Sequence, residues 1–341
     1  MENDINLRKV VIIGDGMVGS SIAFSLVIDS DFTDIVLIDI DSRKVEGDVL
    51  DLRHSSTFTF PKEIKVGTYE DINDAHIIII TAGANQKEGE SRLDLTNKNK
   101  AIIYSIAENM KPYLNKKSII LMVTNPVDVL TYYISTLLDL PKSQIIGSGT
   151  VLDTARLKHF LSEDTGVDSR NIHAFVIGEH GDSEVVPYSC VTIAGIPLLS
   201  YCVKCGKKGC DNFAKLEDIA AKVKYSAYDI ISKKGSTYYG VASAVSRIVD
   251  AILKDSHSVL TVSTYIDNEL DGEIKDIYMS VPSIISSSGV IKTLWPSYTD
   301  KEIDELVKSA NHISFFKKKW VNSNFRCNAN ATQTFPLQNI K

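Results

Sequence analysis

A glycine-rich loop between a buried strand and a helix constrains the fold of this chain more than any other segment. The apolar run Val10–Ile13 leads directly into Gly14-Asp-Gly-Met-Val-Gly19, where a helix begins. In such a loop the first glycine permits a tight turn, the second lets the backbone approach a pyrophosphate, and the third lets the helix pack on the strand. The helix N-terminus then faces the anion. We therefore expect a dinucleotide site with contacts from Gly14, Gly16, Met17, Val18 and Gly19.

An acidic residue follows this loop at the distance that a dinucleotide site requires. The next strand, Ile35–Ile38, ends in Asp39, which lies 20 residues beyond Gly19. A carboxylate there accepts hydrogen bonds from the ribose hydroxyls and repels a 2′-phosphate, so the predicted cofactor is NAD rather than NADP. Asp15 is unusual, because an anionic side chain inside a phosphate loop is expected either to point into solvent or to weaken cofactor affinity.

Continuous apolar runs alternate with helical segments through the first half of the chain. The runs are rich in Val and Ile and show no alternation with polar residues, namely Lys9–Ile13, Ile35–Ile38, Ile64–Val66, Ile77–Ala82 and Ser118–Val123. Strands of this kind are buried on both faces, as in a parallel sheet covered by helices. The predicted fold is α/β, a doubly wound (Rossmann) parallel sheet.

The pattern changes after about Gly149, and a second domain of α+β type is predicted to carry the catalytic residues. It contains long helices and shorter strands, namely Leu152–Asp164, Ala174–Ile177, Ser189–Ile193, Lys215–Lys233, Asp276–Val281 and Asp300–Trp320. With 341 residues the chain is long enough for two domains, since single cores stop growing near about 250–300 residues. We expect an NAD-binding domain over 1–149, a catalytic domain over 150–320, and a polar, disordered or loosely docked tail over 321–341.

Charge and hydropathy exclude several classes of partner. The net charge of −6 argues against nucleic-acid binding, which needs clustered Lys and Arg. No apolar run approaches the roughly 20 residues that span a bilayer, and the acidic start Met1–Asn6 does not resemble a basic signal region. A cytoplasmic protein that binds neither nucleic acid nor membrane is expected.

The cysteines do not predict a disulfide framework or a metal site. Five cysteines are present, and three cluster as Cys202-x2-Cys205-x4-Cys210. A structural zinc site normally needs four ligands, and here the fourth would have to be Cys190 or a distant residue. An exposed loop of reduced thiols is the favoured interpretation, and no metal is expected.

A single histidine stands where a short strand meets a turn between two glycines. The strand is predicted over His173–Ile177, and His180 follows in the segment Ile177–Asp182. Earlier in the chain, Asp153 and Arg156 lie three residues apart and so share one face of a helix. An acid, an arginine and a histidine can form a catalytic site, although the helical pair alone could equally be a solvated ion pair.

Several separate blocks of sequence, taken together, resemble the lactate/malate dehydrogenase family, and within it the bacterial lactate dehydrogenases. The resemblance covers roughly residues 8–315, with block order and spacing that match. The blocks are Gly14–Gly19, Asp51–His54, Thr81–Arg92, Thr124–Asp128, Gly147–Arg156, Ile177–Asp182 and Lys234–Tyr239. The activity implied is the NADH-dependent reduction of pyruvate to L-lactate, a small-molecule reaction of glycolysis and fermentation.

This resemblance implies catalytic roles for four side chains. His180 resembles the proton donor for the substrate carbonyl, with Asp153 fixing its tautomer and stabilising the imidazolium. Arg156 resembles the clamp on the substrate carboxylate, because a guanidinium can engage both oxygens. Arg92 resembles the residue that polarises the reacting carbonyl, and it ends the charged segment Lys87–Arg92, which has the composition of a closing lid.

The resemblance also assigns the walls of the substrate pocket. Gln86 occupies the position that faces the group beside the carbonyl, where malate dehydrogenases carry an arginine, so a second carboxylate would be left unpaired there. Asn125 resembles a residue near the carbonyl and the nicotinamide, although a plain turn residue before Pro126 would explain it equally well. Thr237 matches a position in the pocket wall, and Ser148 matches one that meets the carboxamide of the cofactor.

Regulation and assembly follow from the resemblance alone. Some bacterial relatives are activated by fructose 1,6-bisphosphate through an arginine and a histidine at a subunit interface. His173 matches that histidine, but Lys158 replaces the arginine, and lysine cannot form a bidentate phosphate contact. The family implies a homotetramer. The alternatives are a dehydrogenase for another 2-hydroxy acid, either malate or one with a larger apolar side chain, and a non-catalytic NADH-binding protein.

Overall fold

An eight-stranded sheet forms the centre of the molecule. The computed structural model describes residues 4–84, 92–204 and 213–322. The parallel strands are β1 (Asn6–Ile13), β2 (Asp34–Ile38), β3 (Glu63–Val66), β4 (Ala75–Ile80), β5 (Ile119–Met122) and β6 (Ile145–Gly147). Their order in space is β3-β2-β1-β4-β5-β6. Strands β2 and β3 therefore lie on one side of β1, and β4, β5 and β6 lie on the other side. The predicted doubly wound sheet is therefore confirmed.

Helices cover both faces of this sheet. They are α1 (Met17–Asp29), α2 (Ser42–Ser56), α3 (Arg92–Met110) and α4 (Val127–Leu137). Every residue of β4 and β5 is buried. Successive residues enter different cores: Val11 and Ile78 belong to one cluster, whereas Val10 and Ile77 belong to another. Because neighbouring side chains in a strand point to opposite faces, both must be apolar, which explains the unbroken Val/Ile runs.

The second half of the chain mixes helices with short antiparallel strands. In chain order its elements are α5 (Val151–Thr165), β7 (Ile172–His173), β8 (Thr192–Ile193), β9 (Ile196–Pro197), α6 (Leu198–Lys204), α7 (Phe213–Lys234), α8 (Tyr239–Leu253), β10 (Ser258–Leu260), β11 (Ser263–Glu269), β12 (Ile274–Ser280), β13 (Ser283–Ser286), β14 (Gly289–Thr293) and α9 (Asp300–Asn322). A third apolar core lies among α5, α7 and the β7–β9 sheet.

Two strands of the second half extend the central sheet. β11 pairs antiparallel with β6 through Ser263 and Gly147, and β12 pairs antiparallel with β11 along its length. The sheet order therefore ends β5-β6-β11-β12. The sequence predicted the strand over Asp276–Val281, but not its place in this sheet, because pairing partners far apart in sequence leave no local signal.

The strands predicted around the histidine are shorter than expected. Of the segment 173–177, His173 ends β7 and Ile177 makes only an isolated bridge with Val185. The backbone between them bonds to α5 instead of to a strand, since the Val176 amide donates to Thr154 Oγ1 at 2.9 Å. Similarly, the strand predicted over 189–193 is reduced to Thr192–Ile193.

Several further predictions concern residues that lie partly or wholly outside the described ranges. Cys205, Cys210 and the tail from residue 323 onwards lie outside the described residues. Cys202 is buried on α6, so the expectation of an exposed thiol loop is wrong for this residue. Within the described ranges, no helix is both long and apolar enough to cross a membrane.

Candidate active site

The glycine loop has the shape that a dinucleotide pyrophosphate requires. Gly14 adopts φ +105°, and a Cβ there would lie 2.4 Å from the Ala82 amide nitrogen. A Cβ at Gly19 would lie 1.9 Å from the Gly14 carbonyl oxygen, whereas one at Gly16 would meet nothing within 4 Å. Only glycine fits at positions 14 and 19, and the space beside Gly16 is open to a ligand. Because α1 begins at Met17, its unpaired amides border that space.

Asp39 is held at the end of β2 by two backbone amides. Its Oδ2 accepts from the Asp15 amide at 2.6 Å, and its Oδ1 accepts from the Asp41 amide at 2.9 Å. These bonds leave each carboxylate oxygen with a further lone pair. The carboxylate is half-buried, so it can accept from ribose hydroxyls beside the glycine loop.

The Asp15 side chain does not point into solvent. It is fully buried against α2, where its Oδ2 lies 3.3 Å from Lys44 Nζ. The same ammonium donates to the Asp15 carbonyl oxygen. The structure thus removes one of the two alternatives that the sequence left open for this residue.

The carboxyl ends of β4, β5 and β6 lie at the same edge of the sheet as the glycine loop and Asp39. Buried Asn99 on α3 links two loops, because its Oδ1 accepts from the Ala84 amide at 2.7 Å and its Nδ2 donates to the Asn125 carbonyl at 2.8 Å. Asn125 follows β5 and is exposed. Ser148 follows β6, and its amide donates to the Met122 carbonyl at 2.8 Å. Both side-chain positions therefore lie where the carboxyl ends of parallel strands meet.

His180, Asp153 and Arg156 form one connected group. Asp153 on α5 accepts two hydrogen bonds. Its Oδ2 accepts from His180 Nδ1 at 2.6 Å, and its Oδ1 accepts from Arg156 Nη1 at 2.5 Å. The Asp153 side chain is 3% exposed, while those of Arg156 and His180 are 12% and 24% exposed. One buried carboxylate therefore orients both an imidazole and a guanidinium. The arrangement can hold an anion and exchange a proton with it.

The backbone that carries His180 is fixed by different elements of the fold. Three consecutive amides donate hydrogen bonds of 2.8 Å, from Gly178 to the Ser280 carbonyl on β12, from Glu179 to Ser309 Oγ on α9, and from His180 to Asp128 Oδ2 on α4. The Glu179 carboxylate also accepts from Ser183 and pairs with His312 Nδ1 at 2.7 Å. The loop is thus positioned by the whole fold rather than by its own turn.

Charge and burial adjust the ionisation of this group. Burial of the His180 ring disfavours its charged form, but the Asp153 carboxylate outweighs this and raises the pKa of His180 to about 9. Burial alone would raise the pKa of Asp153, yet His180 and Arg156 lower it. Burial, together with repulsion from Asp153, raises the pKa of Glu184 to about 8. At neutral pH the group is therefore an ion triad with net positive charge, beside a neutral Glu184.

A cavity of about 320 Å³ adjoins these side chains. Its walls come from the loop after β5, from α4, α5, α7 and α9, and from the loop that carries His180. The residues that face it are Asn125, Pro126, Val129, Asp153, Arg156, Glu179, His180, Gly181, Asp182, Glu184, Lys224, Ala227, Tyr228, Ile231, His312 and Phe316. The volume suits a small organic acid together with part of a cofactor.

Other predicted residues are not brought to this cavity by the described chain. Gln86 lies outside the described residues, and of Arg92 only the backbone is described, where it begins α3. Thr237 is half-buried in the loop between α7 and α8 and is not among the described residues that line the cavity. Lys158 is half-buried on α5, and His173 is exposed on β7.

Two acids in the site were not singled out from sequence. Burial raises the pKa of Asp128 to about 7, and its Oδ1 accepts from Ser263 Oγ at 2.5 Å while Oδ2 accepts from the His180 amide. Glu184 lines the cavity two residues beyond Asp182. Asp128 ends one of the quoted blocks and Glu184 follows another, but nothing local distinguishes such acids from solvated surface residues.

Comparison with known proteins finds matches for both halves of the chain. Residues 8–147 match the model of the lactate/malate dehydrogenase NAD-binding domain, and residues 150–321 match that of the lactate/malate dehydrogenase alpha/beta C-terminal domain. The L-lactate dehydrogenase of Acetivibrio thermocellus is 46% identical over 313 residues, 92% of this chain and 97% of the relative. L-lactate dehydrogenase 1 of Clostridium acetobutylicum is 47% identical over 305 residues, 89% of this chain and 96% of the relative.

Solved structures show the same relationship. The minor L-lactate dehydrogenase from Enterococcus mundtii, in its ligands-bound form, superposes with a TM-score of 0.87 at 37% identity, covering 92% of this chain and 98% of that one. A lactate dehydrogenase from a Medee basin deep-sea metagenome library gives a TM-score of 0.85 at 38% identity, with the same coverage. Because both halves of the chain match models of this family, the chain belongs to the lactate/malate dehydrogenase family and carries that family's NAD-binding domain.

Proposed function

We propose that this protein is an NAD-dependent L-lactate dehydrogenase, which reduces pyruvate to L-lactate and catalyses the reverse oxidation. The observation that carries the proposal is the Asp153 carboxylate, which holds His180 and Arg156 at the wall of one cavity. The names of relatives 46% and 47% identical to this chain support the choice of lactate.

The proton transfer is assigned to His180. Because Nδ1 is bonded to Asp153, Nε2 is the nitrogen that can donate to a substrate oxygen. With a pKa raised to about 9 by Asp153 against the effect of burial, the ring carries the required proton at neutral pH. In reduction His180 protonates the oxygen that was the carbonyl of pyruvate, and in oxidation the neutral ring removes the hydroxyl proton of lactate. Asp153 stabilises the charged ring throughout.

Substrate binding is assigned to the positive charge of the site. Among the described residues, Arg156 uses one of its five N–H groups on Asp153, and the other N–H groups include a pair with the spacing to engage both oxygens of a carboxylate. Glu184 is neutral below a pKa of about 8, raised by its burial and by Asp153, so it does not cancel this charge. We assign to Arg92 the polarisation of the carbonyl, and to Asn125, which lines the cavity, a contact with the substrate.

The cofactor would lie along the carboxyl edge of the sheet. Gly14, Gly16 and Gly19 would hold its pyrophosphate and Asp39 its adenosine ribose, while Ser148 would face the carboxamide. When bound there, NADH supplies the hydride that reduces the carbonyl carbon. In this proposal NADPH is a poor substitute, and the ratio of kcat/KM for NADH and NADPH tests the role of Asp39.

The discriminating experiment compares pyruvate with oxaloacetate. We expect the wild type to prefer pyruvate, because Gln86 offers no charge to a second carboxylate. Gln86→Arg is expected to move the ratio of kcat/KM toward oxaloacetate by roughly two orders of magnitude. Gln86→Met, which is neutral, is the control and keeps the preference. A wild type that prefers oxaloacetate, or an unchanged ratio in Gln86→Arg, contradicts the assignment.

We further propose a cytoplasmic homotetramer. Large apolar side chains on α2 and just beyond it support self-association: Leu50 is 55% exposed, Phe58 90% and Phe60 81%. Large apolar side chains exposed within one segment of the chain favour burial against another chain. Cell fractionation tests the location.

A phosphorylated activator is also compatible with the charges on α5 and α8. Lys158 lies near Arg247, and partial burial together with this like charge lowers the pKa of Lys158. Two neighbouring cations suit a phosphate group, and His173 is the third residue that we assign to such a site. Addition of fructose 1,6-bisphosphate to the pyruvate assay tests it, and an unchanged rate at all pyruvate concentrations removes the regulatory role.

A further inference from the structure

We propose that Asp15 is a positioning residue of the dinucleotide site, and that NADH binds more tightly while the Asp15 carboxyl group carries a proton. In this role it acts through the backbone of the glycine loop, because its side chain is packed against α2. The inference rests on the NAD binding of the proposed function and not on the identity of the oxo acid. It can therefore be tested without any substrate.

The first argument is the burial of an unsatisfied oxygen. Asp15 is 0% exposed, and its Oδ1 has no hydrogen-bond partner among the residues that the structure describes. A buried carboxylate normally accepts hydrogen bonds on both oxygens, and leaving one without a partner is costly. A neutral carboxyl group avoids most of this cost, because it carries no charge and can itself donate.

The second argument is the balance of charge around the loop. Lys44 on α2 lies 2.5 Å from Asp48 and 3.3 Å from Asp15, so one ammonium serves two carboxyl groups. Asp39 at the end of β2 contacts the Asp15 amide, and Asp41 caps α2 by accepting from the Lys44 amide. If all these acids were ionised, the loop would carry a strong net negative charge where a pyrophosphate must bind.

The third argument concerns where the proton is held. Asp15 and Asp48 both contact the Lys44 ammonium, and repulsion between two carboxylates held this close favours keeping a proton on one of them. Burial and Asp48 raise the pKa of Asp15 to about 7, although Lys44 acts to lower it. The carboxyl group therefore loses its proton in the physiological range.

The direction of the effect follows from charge. A bound pyrophosphate is anionic and favours the neutral form of Asp15, so NADH binding takes up a proton. The Kd for NADH is then lowest below the pKa of the free protein and rises as pH increases through it. A single new negative charge beside the loop is expected to raise Kd roughly five- to tenfold.

The experiment is a fluorescence titration of the full chain with NADH between about pH 6 and pH 8.5, without an oxo acid. The wild type is expected to bind NADH several-fold more weakly at the upper end. Asp15→Asn keeps the shape of the neutral carboxyl group but cannot ionise. Its Kd is expected to stay constant with pH and to be lower than that of the wild type at pH 8.5.

Two further variants are expected to shift the pH at which the Kd for NADH rises, in opposite directions. Lys44→Met removes the cation that stabilises the Asp15 anion, so the rise in Kd moves to higher pH. Asp48→Asn removes the anion that opposes ionisation, so the rise moves to lower pH. Glu46→Gln is the matched control, because it removes one negative charge from α2, as Asp48→Asn does. Glu46 is exposed and lies on a different face of α2 from Lys44 and Asp48, so the pH at which Kd rises is expected to stay the same.

Calorimetry in buffers of different ionisation enthalpy measures the proton directly. Net proton uptake is expected when the wild type binds NADH near pH 7.5, and none for Asp15→Asn. A wild-type Kd that is constant with pH overturns the inference but leaves NAD binding intact, as does a rise that persists in Asp15→Asn. If Asp15→Asn does not fold, shifts of the same sign in Lys44→Met and Asp48→Asn overturn it. A wild type that does not bind NADH at any pH overturns the cofactor assignment as well.

Discussion

At the scale of single residues, the pairing of His180 with Asp153 makes a prediction about pH. Reduction requires the imidazolium, so kcat/KM for pyruvate is expected to fall as pH rises through about 9, the pKa to which Asp153 raises His180 against its burial. Asp153→Asn removes the Coulomb attraction and moves this fall to lower pH. It also lowers kcat by roughly 10²–10⁴-fold, because an amide does not stabilise the imidazolium or enforce the tautomer.

The measurement is the pH at which kcat/KM for pyruvate falls on the basic side of its pH profile, called here the basic limb. Glu184, whose pKa burial and Asp153 raise to about 8, faces the same cavity, so Glu184→Gln is needed to separate its titration from that of His180. His159→Gln on the exposed face of α5 is the control and leaves the limb unchanged. A limb at the same pH in Asp153→Asn and the wild type means that another group supplies the proton.

The sequence predicted some of these residues and not others, for a physical reason. Asp153 and Arg156 are three residues apart, and the sequence predicts a strand and a turn before His180, so local patterns are enough to propose these three residues as a site. Asp128 is 52 positions from His180, and its contact exists only because α4 and the histidine loop pack together. The burial of Asp15 likewise depends on α2, which no local pattern near residue 15 specifies.

At the scale of elements, α4 fixes the histidine loop through Asp128, and this contact can be tested. Asp128→Ala removes the acceptor of the His180 amide and is expected to lower kcat about 10–100-fold, because small displacements of a catalytic group are costly. Asp128→Asn retains an acceptor oxygen and is expected to keep most of the activity. NADH binding should be unchanged in both variants.

The matched control removes the other hydrogen bond of the same carboxylate. Ser263→Ala leaves the His180 contact in place and is expected to change kcat little. Thermal unfolding of each variant distinguishes positioning from stability. If Ser263→Ala and Asp128→Ala lose kcat and Tm to the same extent, Asp128 stabilises the fold and does not position the histidine.

At the scale of the whole molecule, the exposed apolar surface on α2 predicts how the chain assembles. The mass in solution, measured by light scattering after size exclusion, is expected to correspond to four chains. Leu50→Glu places a charge on this surface and is expected to yield smaller species, because burying an unpaired carboxylate is unfavourable. Ile291→Glu is the control: this side chain is similarly exposed, at 54%, but lies on β14. Equal masses for the wild type and Leu50→Glu would remove this surface from the interface.

At this scale the sequence predicted the parallel strands of the central sheet. It did not predict that β11 and β12 extend that sheet. Unbroken apolar runs report burial on both faces, which β4 and β5 show throughout. β11 and β12 are half-exposed in places, so their sequence does not distinguish a strand of the central sheet from one in a separate domain.

The antiparallel strands at the end of the central sheet have a consequence for synthesis on the ribosome. β6 is translated well before β11, which supplies its second neighbour through Ser263. Until then β6 is an edge strand with unpaired amides and carbonyls, and such an edge can pair with another nascent chain. A fragment that stops near residue 149 would keep that edge permanently. We therefore expect such a fragment to aggregate, whereas the full chain covers the edge with its own later residues.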